Sequence, residues 1–163
     1  MHQTAVNLST QGSVRGSAPT GCAPHPGGER RGRVLLADDS HVARTFVSRL
    51  MELAGYAVDV ACDGRSGALA VCTGDYDLVL LDLQMPVMSG TEAAAAIRAA
   101  GLTVPIIALT ASTDARDPQA CAHAGMNGFL AKPFTLAAFE AEWERVRSGS
   151  AACTPRRDAA APV

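Results

Sequence analysis

The chain has almost no lysine. Of its 14 basic residues 13 are arginine, and the only lysine is Lys132. Lysine carries a compact ammonium on a flexible stem, whereas arginine carries a planar fork, so the two are not interchangeable. A chain that uses arginine for every other cation therefore draws attention to the stretch NGFLAKPF, in which Lys132 lies.

Long apolar runs are also missing. No segment approaches the roughly 18 residues that a membrane-spanning helix needs. The first residues, MHQTAVNLSTQG, lack the apolar core of a secretory signal. We therefore expect a cytoplasmic protein without a membrane span. The hydrophobic fraction of 48% is still enough for one domain with an interior core.

The cysteines form no CxxC pair and no metal-like spacing with the four histidines. Five cysteines at scattered positions fit reduced thiols in a cytosol. Cys62, Cys72 and Cys121 fall within predicted strands or helices, and we expect them to be small buried hydrophobic side chains.

The net charge of −2 conceals an uneven distribution. Residues 1–33 carry +3 and residues 148–163 carry +1, so the segment between them carries −6. An acidic centre has no electrostatic reason to bind nucleic acid and favours a pocket that attracts a cation. We expect a disordered arm over 1–32, one folded domain over 33–147 and a disordered tail over 148–163.

Between the tails, five apolar runs alternate with five helical patterns. The runs lie at 33–39, 56–61, 75–86, 104–112 and 128–132. Continuous Val, Ile and Leu runs predict strands covered on both faces, and hence a parallel sheet. Right-handed crossovers then give a doubly wound α/β fold, a five-stranded sheet with helices on both faces. We expect the flavodoxin-like strand order 2-1-3-4-5.

The helical patterns predict the apolar faces. The first helix is expected to present one apolar face made of Val42, Phe46, Val47, Leu50 and Leu53. The second helix is expected to use Ala68, Leu69 and Cys72, and the last helix Leu136, Phe139, Trp143 and Val146. Asp63 is expected to cap the second helix.

Ligands of such a sheet bind outside the carboxyl ends of its strands. The first strand ends at Asp38 and Asp39, the third at Asp82, the fourth at Thr110 and the fifth at Lys132. One edge of the sheet therefore gathers three carboxylates, a hydroxyl and the only lysine ammonium.

Three carboxylates in one pocket repel one another. At 4 Å each pair costs roughly 1 to 4 kcal/mol at effective dielectric constants of about 80 to 20, so positive charge must offset them. Carboxylate oxygens without His or Cys suit Mg²⁺ or Mn²⁺. A divalent cation, a carboxylate, a lysine and a hydroxyl together form a phosphoryl-handling site.

The ordered motifs LLADDS, LVLLDLQMPVMSG, IIALTAS and GFLAKPF resemble the receiver domain of two-component response regulators. The resemblance covers about 33–147. The patterns DxQMPxMxG and GMNxxLxKP are similar to those of receivers attached to hybrid sensor kinases.

The resemblance implies that Asp82 is the phosphoacceptor, which takes a phosphoryl group from a phosphohistidine on a sensor histidine kinase or a histidine phosphotransfer protein. It implies that Asp39 and Asp82 ligate Mg²⁺ directly and that Asp38 acts mainly through water. The backbone carbonyl of Gln84 would complete the protein ligands. Spontaneous dephosphorylation is the only other reaction implied, so the chain is expected to be a signalling protein and not an enzyme.

The resemblance also implies roles for the remaining strand ends. Thr110 would donate its hydroxyl to a phosphoryl oxygen, and Lys132 would pair with another. Pro133 would follow a cis peptide bond that directs the lysine. Thr110 and Phe129 would form the conformational switch, and partner phosphotransfer domains would contact the first helix.

Three other functions are open to the residues. An aspartate-nucleophile phosphohydrolase usually reads DxDx[TV], whereas this chain has Gln84 at the place of the second acid. A dinucleotide or flavin binder is disfavoured because no GxGxxG follows the first strand. A receiver-like interaction domain that works without phosphorylation is disfavoured by the complete set of site residues.

The biological role is left open between three arrangements. We expect no output domain after the core, so the chain would be a stand-alone regulator, an intermediate or sink in a phosphorelay, or the terminal receiver of a hybrid kinase. Its downstream target is not indicated by the sequence.

Overall fold

The computed structural model describes residues 31–111 and 117–149. The expected disordered arm and tail lie almost wholly outside these residues. Within the described part, no helix is both long enough and apolar enough to cross a bilayer.

Strands and helices alternate strictly through the described residues, as the sequence predicts. The strands are β1 (Arg33–Ala37), β2 (Ala57–Ala61), β3 (Leu78–Asp82), β4 (Ile106–Thr110) and β5 (Gly128–Ala131). The helices are α1 (His41–Leu53), α2 (Gly64–Thr73), α3 (Gly90–Ala99), α4 (Asp117–His123) and α5 (Leu136–Arg147). All strand pairs are parallel and the order is β2-β1-β3-β4-β5, which confirms the predicted fold class.

The sheet is buried on both faces, because successive residues of a strand point to opposite sides. Along β1, Val34 and Leu36 face the layer of α1 and α5, whereas Leu35 and Ala37 face the layer of α2, α3 and α4. This double burial explains why the strands are continuous apolar runs and not alternating ones.

Asp63 caps α2, as predicted. Its carboxylate accepts a hydrogen bond from the Ser66 backbone N–H at 2.7 Å, and this bond with others from Ser66 lowers the pKa of the Asp63 carboxyl. The acid after β2 therefore serves the helix start, as a carboxylate does well there.

Gly90, the first residue of α3, lets the helix approach the end of β3 closely. A Cβ at this position would collide with the Asp82 backbone oxygen, and the Gly90 N–H donates to the Leu83 carbonyl at 3.2 Å. The start of α3 thus packs directly against the backbone of the acidic strand end and fixes its position.

The predicted apolar face of α1 is wrong in part. Val47 and Met51 are buried, whereas Val42, Phe46 and Leu53 are 77%, 56% and 70% exposed. At 3.6 residues per turn the three exposed residues form a separate stripe beside the buried one. Only the stripe that contains Val47 and Met51 packs against the sheet, and the other stripe faces solvent.

Two cysteine predictions are also wrong. Cys121 is buried, but Cys62 and Cys72 are exposed. On α2 the same correction applies to Leu69, which is 64% exposed, while Val71 takes the interior position with Ala68. A short helix that covers an edge of the sheet buries one row of small residues, and its other apolar side chains remain outside.

Candidate functional site

The carboxyl ends of β1 and β3 bring three acids together. Ala37 and Leu81 are paired in the parallel register, so the residues that follow them leave the sheet side by side. One carboxylate oxygen from each of Asp38, Asp39 and Asp82 lies within 4.8 Å of the other two. The ends of these two strands therefore form a cluster of oxygen ligands, at the edge of the sheet where the sequence predicts one.

The three acids differ in exposure. Asp38 is fully buried and Asp82 is 5% exposed, whereas Asp39 faces solvent. The Asp38 carboxylate accepts the Ser40 backbone N–H at 2.9 Å, so the start of α1 holds it. The Arg44 guanidinium donates to the Asp38 carbonyl and fixes the same turn.

Lys132 reaches this cluster from two strands away. Its Nζ donates to Asp82 Oδ2 at 2.7 Å and to Asp38 Oδ2 at 2.9 Å, and its side chain is 18% exposed. β4 lies between β3 and β5, so the ammonium needs a long stem to cross the end of β4. The Lys132 N–H donates to the Thr110 carbonyl, and the Lys132–Pro133 peptide bond is cis.

The charge balance of the cluster remains negative. Burial raises the pKa of the Asp82 carboxyl, although hydrogen bonds from Lys132 and the Gln84 N–H oppose the rise. Burial would lower the pKa of the Lys132 ammonium, but its hydrogen bonds to Asp82 and Asp38 outweigh burial and leave that pKa raised. The direction for Asp82 therefore follows from burial, and the direction for Lys132 follows from the two carboxylates that share its ammonium.

The remaining predicted residues lie at the end of β4, after β3 and on β5. Thr110 is 1% exposed at the end of β4. Gln84 is exposed, and its backbone N–H donates to Asp82 Oδ1 at 3.2 Å. Phe129 is 9% exposed, and its ring belongs to the apolar cluster of the α2–α3–α4 layer.

Three residues that position the site were not predicted for that role. Ser40 holds the Asp38 carboxylate, Arg44 holds the Asp38 backbone carbonyl, and Gly90 sets the distance between α3 and Asp82. The sequence does indicate a role for Ser40, since a serine before an apolar helical pattern marks a helix start. Nothing in the sequence indicates the role of Arg44, because its contact is with a backbone carbonyl.

A family model for the response regulator receiver domain matches residues 34–144. The chain belongs to this family. It is therefore a receiver domain of two-component or phosphorelay signalling, and the phosphohydrolase reading is not favoured.

The relatives include both hybrid kinases and response regulators. The chain is 39% identical over 118 residues to hybrid signal transduction histidine kinase B of Dictyostelium discoideum, which covers 64% of this chain and 6% of the kinase. It is 38% identical over 102 residues to the transcriptional regulatory protein DltR of Streptococcus agalactiae, which covers 63% of this chain and 46% of the regulator. The chain thus spans less than half the length of these relatives.

A solved structure bears on the metal. The receiver domain of the sensor histidine kinase PA1611 from Pseudomonas aeruginosa is 38% identical, with a TM-score of 0.63 over 68% of this chain and 92% of that one. It was crystallised with a magnesium ion coordinated in its active-site cleft. Three carboxylates that face one ammonium leave an unbalanced negative charge here, and hard oxygen donors suit the same ion.

We predict that the Lys132→Met variant loses about 3 kcal/mol of unfolding free energy in buffer free of divalent cations. The reason is that Asp38 and Asp82 would stay buried without their shared ammonium, while methionine keeps most of the aliphatic stem. Urea denaturation measures the change. Arg147→Met is the matched control. It removes an exposed ion pair, so its loss stays within about 1 kcal/mol. Equal stability of Lys132→Met and the wild type would contradict the account.

Proposed function

We propose that Asp82 accepts a phosphoryl group from a phosphohistidine. An Asp82 carboxylate oxygen attacks phosphorus, a P–O bond forms, and the P–N bond breaks as its electron pair returns to the imidazole. The observation that carries the proposal is the 2.7 Å contact between Asp82 Oδ2 and the Lys132 ammonium at the end of β3.

Exposure and hydrogen bonding favour Asp82 over its two neighbours. Asp38 is fully buried and is held by Ser40 and Lys132, so a donor on another protein does not reach it. Asp39 is exposed to solvent, which suits a cation ligand better than a nucleophile that must be held in one orientation. Asp82 keeps some exposure while Lys132 and the Gln84 N–H orient its two oxygens.

The surrounding residues would spread the charge of the transferred group. Lys132 would pair with one phosphoryl oxygen, and the Thr110 hydroxyl would donate to another. The carboxylates of Asp39 and Asp82 with the Gln84 carbonyl would hold Mg²⁺, and Asp38 would act through water. When bound, the cation neutralises negative charge that develops on the phosphoryl oxygens.

The aspartyl phosphate would then be lost only by slow attack of water. Hydrolases of this kind place a second acid two residues after the nucleophile, and this chain has the exposed amide Gln84 there. An amide does not act as a general acid or base at neutral pH, so we infer self-dephosphorylation and no turnover of external substrates.

We further infer that Thr110 and Phe129 form a switch. Thr110 is paired with Ala131 in the register of β4 and β5, so it lies one strand away from the segment that carries Phe129. A move of the Thr110 hydroxyl toward a phosphoryl group changes the space available to the buried ring, and a two-state element biased in this way alters the outer surface.

The exposed stripe of α1 is the surface that we assign to the phosphodonor protein. α1 begins two residues after Asp39, and Val42, Phe46 and Leu53 are all more than half exposed on it. An apolar stripe that starts beside the acidic cluster fits a sensor kinase or a histidine phosphotransfer protein that brings its phosphohistidine to Asp82. Such partners and the free thiols of Cys62 and Cys72 agree with a cytoplasmic location.

We predict that wild-type protein with Mg²⁺ and acetyl phosphate gains one phosphoryl group that is stable to acid and labile to base. Intact mass measures it. Asp82→Asn is expected to abolish the adduct, because an amide oxygen is not a nucleophile here, and chelation of the cation is expected to abolish it too. Asp63→Asn is the control, since Asn caps a helix as well as Asp. An adduct that survives in Asp82→Asn would sink the proposal.

We predict that Phe46→Ala slows transfer from a phosphorylated histidine phosphotransfer protein by about tenfold, as expected for an aromatic anchor of an interface. Its unfolding free energy and its reaction with acetyl phosphate stay at wild-type values, because the ring is 56% exposed. Leu69→Ala, an exposed apolar residue on α2, serves as the control. Equal transfer rates for Phe46→Ala and Leu69→Ala would refute the assignment of this surface.

A further inference from the structure

β5 is an edge strand, and side chains of α5 bind two backbone groups at its start. The Phe129 N–H donates to Glu142 Oε1 at 2.8 Å, and the Asn127 carbonyl accepts from Arg145 Nη2 at 2.8 Å. Unpaired groups of an edge strand are normally left to water or covered by a neighbour. Here two side chains of one helix bind the carbonyl of Asn127, just before β5, and the N–H of Phe129, the residue assigned to the switch.

Glu142 and Arg145 also hold each other. Arg145 donates to both carboxylate oxygens, at 2.9 Å from Nε and 2.6 Å from Nη2. Their side chains are 14% and 19% exposed. The pair Glu144–Arg147 has the same spacing on the same helix, yet it is 68% and 57% exposed. The shielded pair is therefore oriented by β5, whereas the exposed pair is not.

Gly128 gives Glu142 the room to reach the strand. A Cβ at Gly128 would lie 2.7 Å from Glu142 Oε1 and 2.9 Å from Val146 Cγ2. Because real Cβ atoms do not approach so closely, any larger residue would displace the Glu142 carboxylate or the Val146 side chain from β5. The close contact between Glu142 and β5 thus depends on the missing side chain of Gly128 as well as on the position of α5.

Phe129 connects the two layers of helices. Its ring packs in the cluster that contains Ala108, Cys121 and Met126, on the face opposite α5. Its backbone N–H points to Glu142 on α5. A change in the ring position that moves this backbone by even a fraction of an ångström must lengthen or reorient the hydrogen bond to Glu142.

We propose that Glu142 is a positioning residue that couples Phe129 to α5, so that phosphorylation of Asp82 alters α5 through the Phe129 N–H hydrogen bond. The inference rests on the proposed function, because it uses the phosphorylated state. Glu142 touches no reacting atom, and Arg145 keeps its carboxylate aimed at the strand.

The fluorescence of Trp143 can report a change in α5. It is the only tryptophan of the chain and follows Glu142 on α5. On reaction with Mg²⁺ and acetyl phosphate, the wild type is expected to change its tryptophan fluorescence as the adduct appears in the intact mass. Glu142→Ala is expected to form the adduct within about twofold of the wild-type yield, and to lose most of the fluorescence change.

Two variants separate coupling from a general loss of structure. Glu142→Gln keeps an oxygen that accepts the Phe129 N–H, so it is expected to restore the fluorescence change. Glu144→Ala removes the exposed pair and is expected to behave as the wild type. A full fluorescence change in Glu142→Ala, or loss of the change in Glu144→Ala to the same degree, would overturn the proposal.

Amide hydrogen exchange tests the same contact without any substitution. Coupling energies of about 1 to 3 kcal/mol correspond to at least about fivefold in an equilibrium, so the Phe129 amide is expected to change its exchange rate by at least that factor on phosphorylation. An adduct without any change at the Phe129 amide would overturn the coupling alone. Absence of the adduct in the wild type would overturn the proposed function, and the coupling with it.

Discussion

The ammonium of Lys132, shared between Asp38 and Asp82, is the interaction on which the rest of the site depends. Two buried carboxylates side by side are unstable without positive charge, and one ammonium offsets only part of their repulsion. The ammonium is enough for the acids to stay buried when no metal ion is bound. The negative charge that remains still favours a divalent ion and the charge redistribution of phosphoryl transfer.

The fold supplies this arrangement through the parallel sheet. Parallel strands end at one edge, so residues far apart in sequence, such as Asp38, Asp82 and Lys132, leave the sheet as neighbours. The starts of two helices then hold the acids in place. Ser40 binds the Asp38 carboxylate, and Gly90 packs against the Asp82 backbone. Lys132 directly follows the edge strand β5, so a change at the site has a short path to α5.

The strand order does not follow from the apolar runs, since right-handed crossovers allow more than one doubly wound order. Sequence reasoning reached the parallel sheet and the strand-end residues, because parallel strands buried on both faces are continuous apolar runs. It did not distinguish the buried Asp38 from the exposed Asp39, since adjacent acids in one turn look alike until the backbone direction is known. It gave α1 an apolar face that is too wide, because amphipathic spacing does not say how much of a helix the sheet covers. Contacts between side chain and backbone, such as Glu142 with Phe129, leave no signal in residue type.

The single lysine makes the central claim directly measurable. Selective ¹⁵N labelling of lysine gives one side-chain Nζ signal, which can be followed against pH, Mg²⁺ and acetyl phosphate. We predict an ammonium whose pKa is raised by its two carboxylate partners and whose signal shifts as the adduct forms. A signal that titrates like a free lysine and stays unchanged when Asp82 is phosphorylated would contradict it.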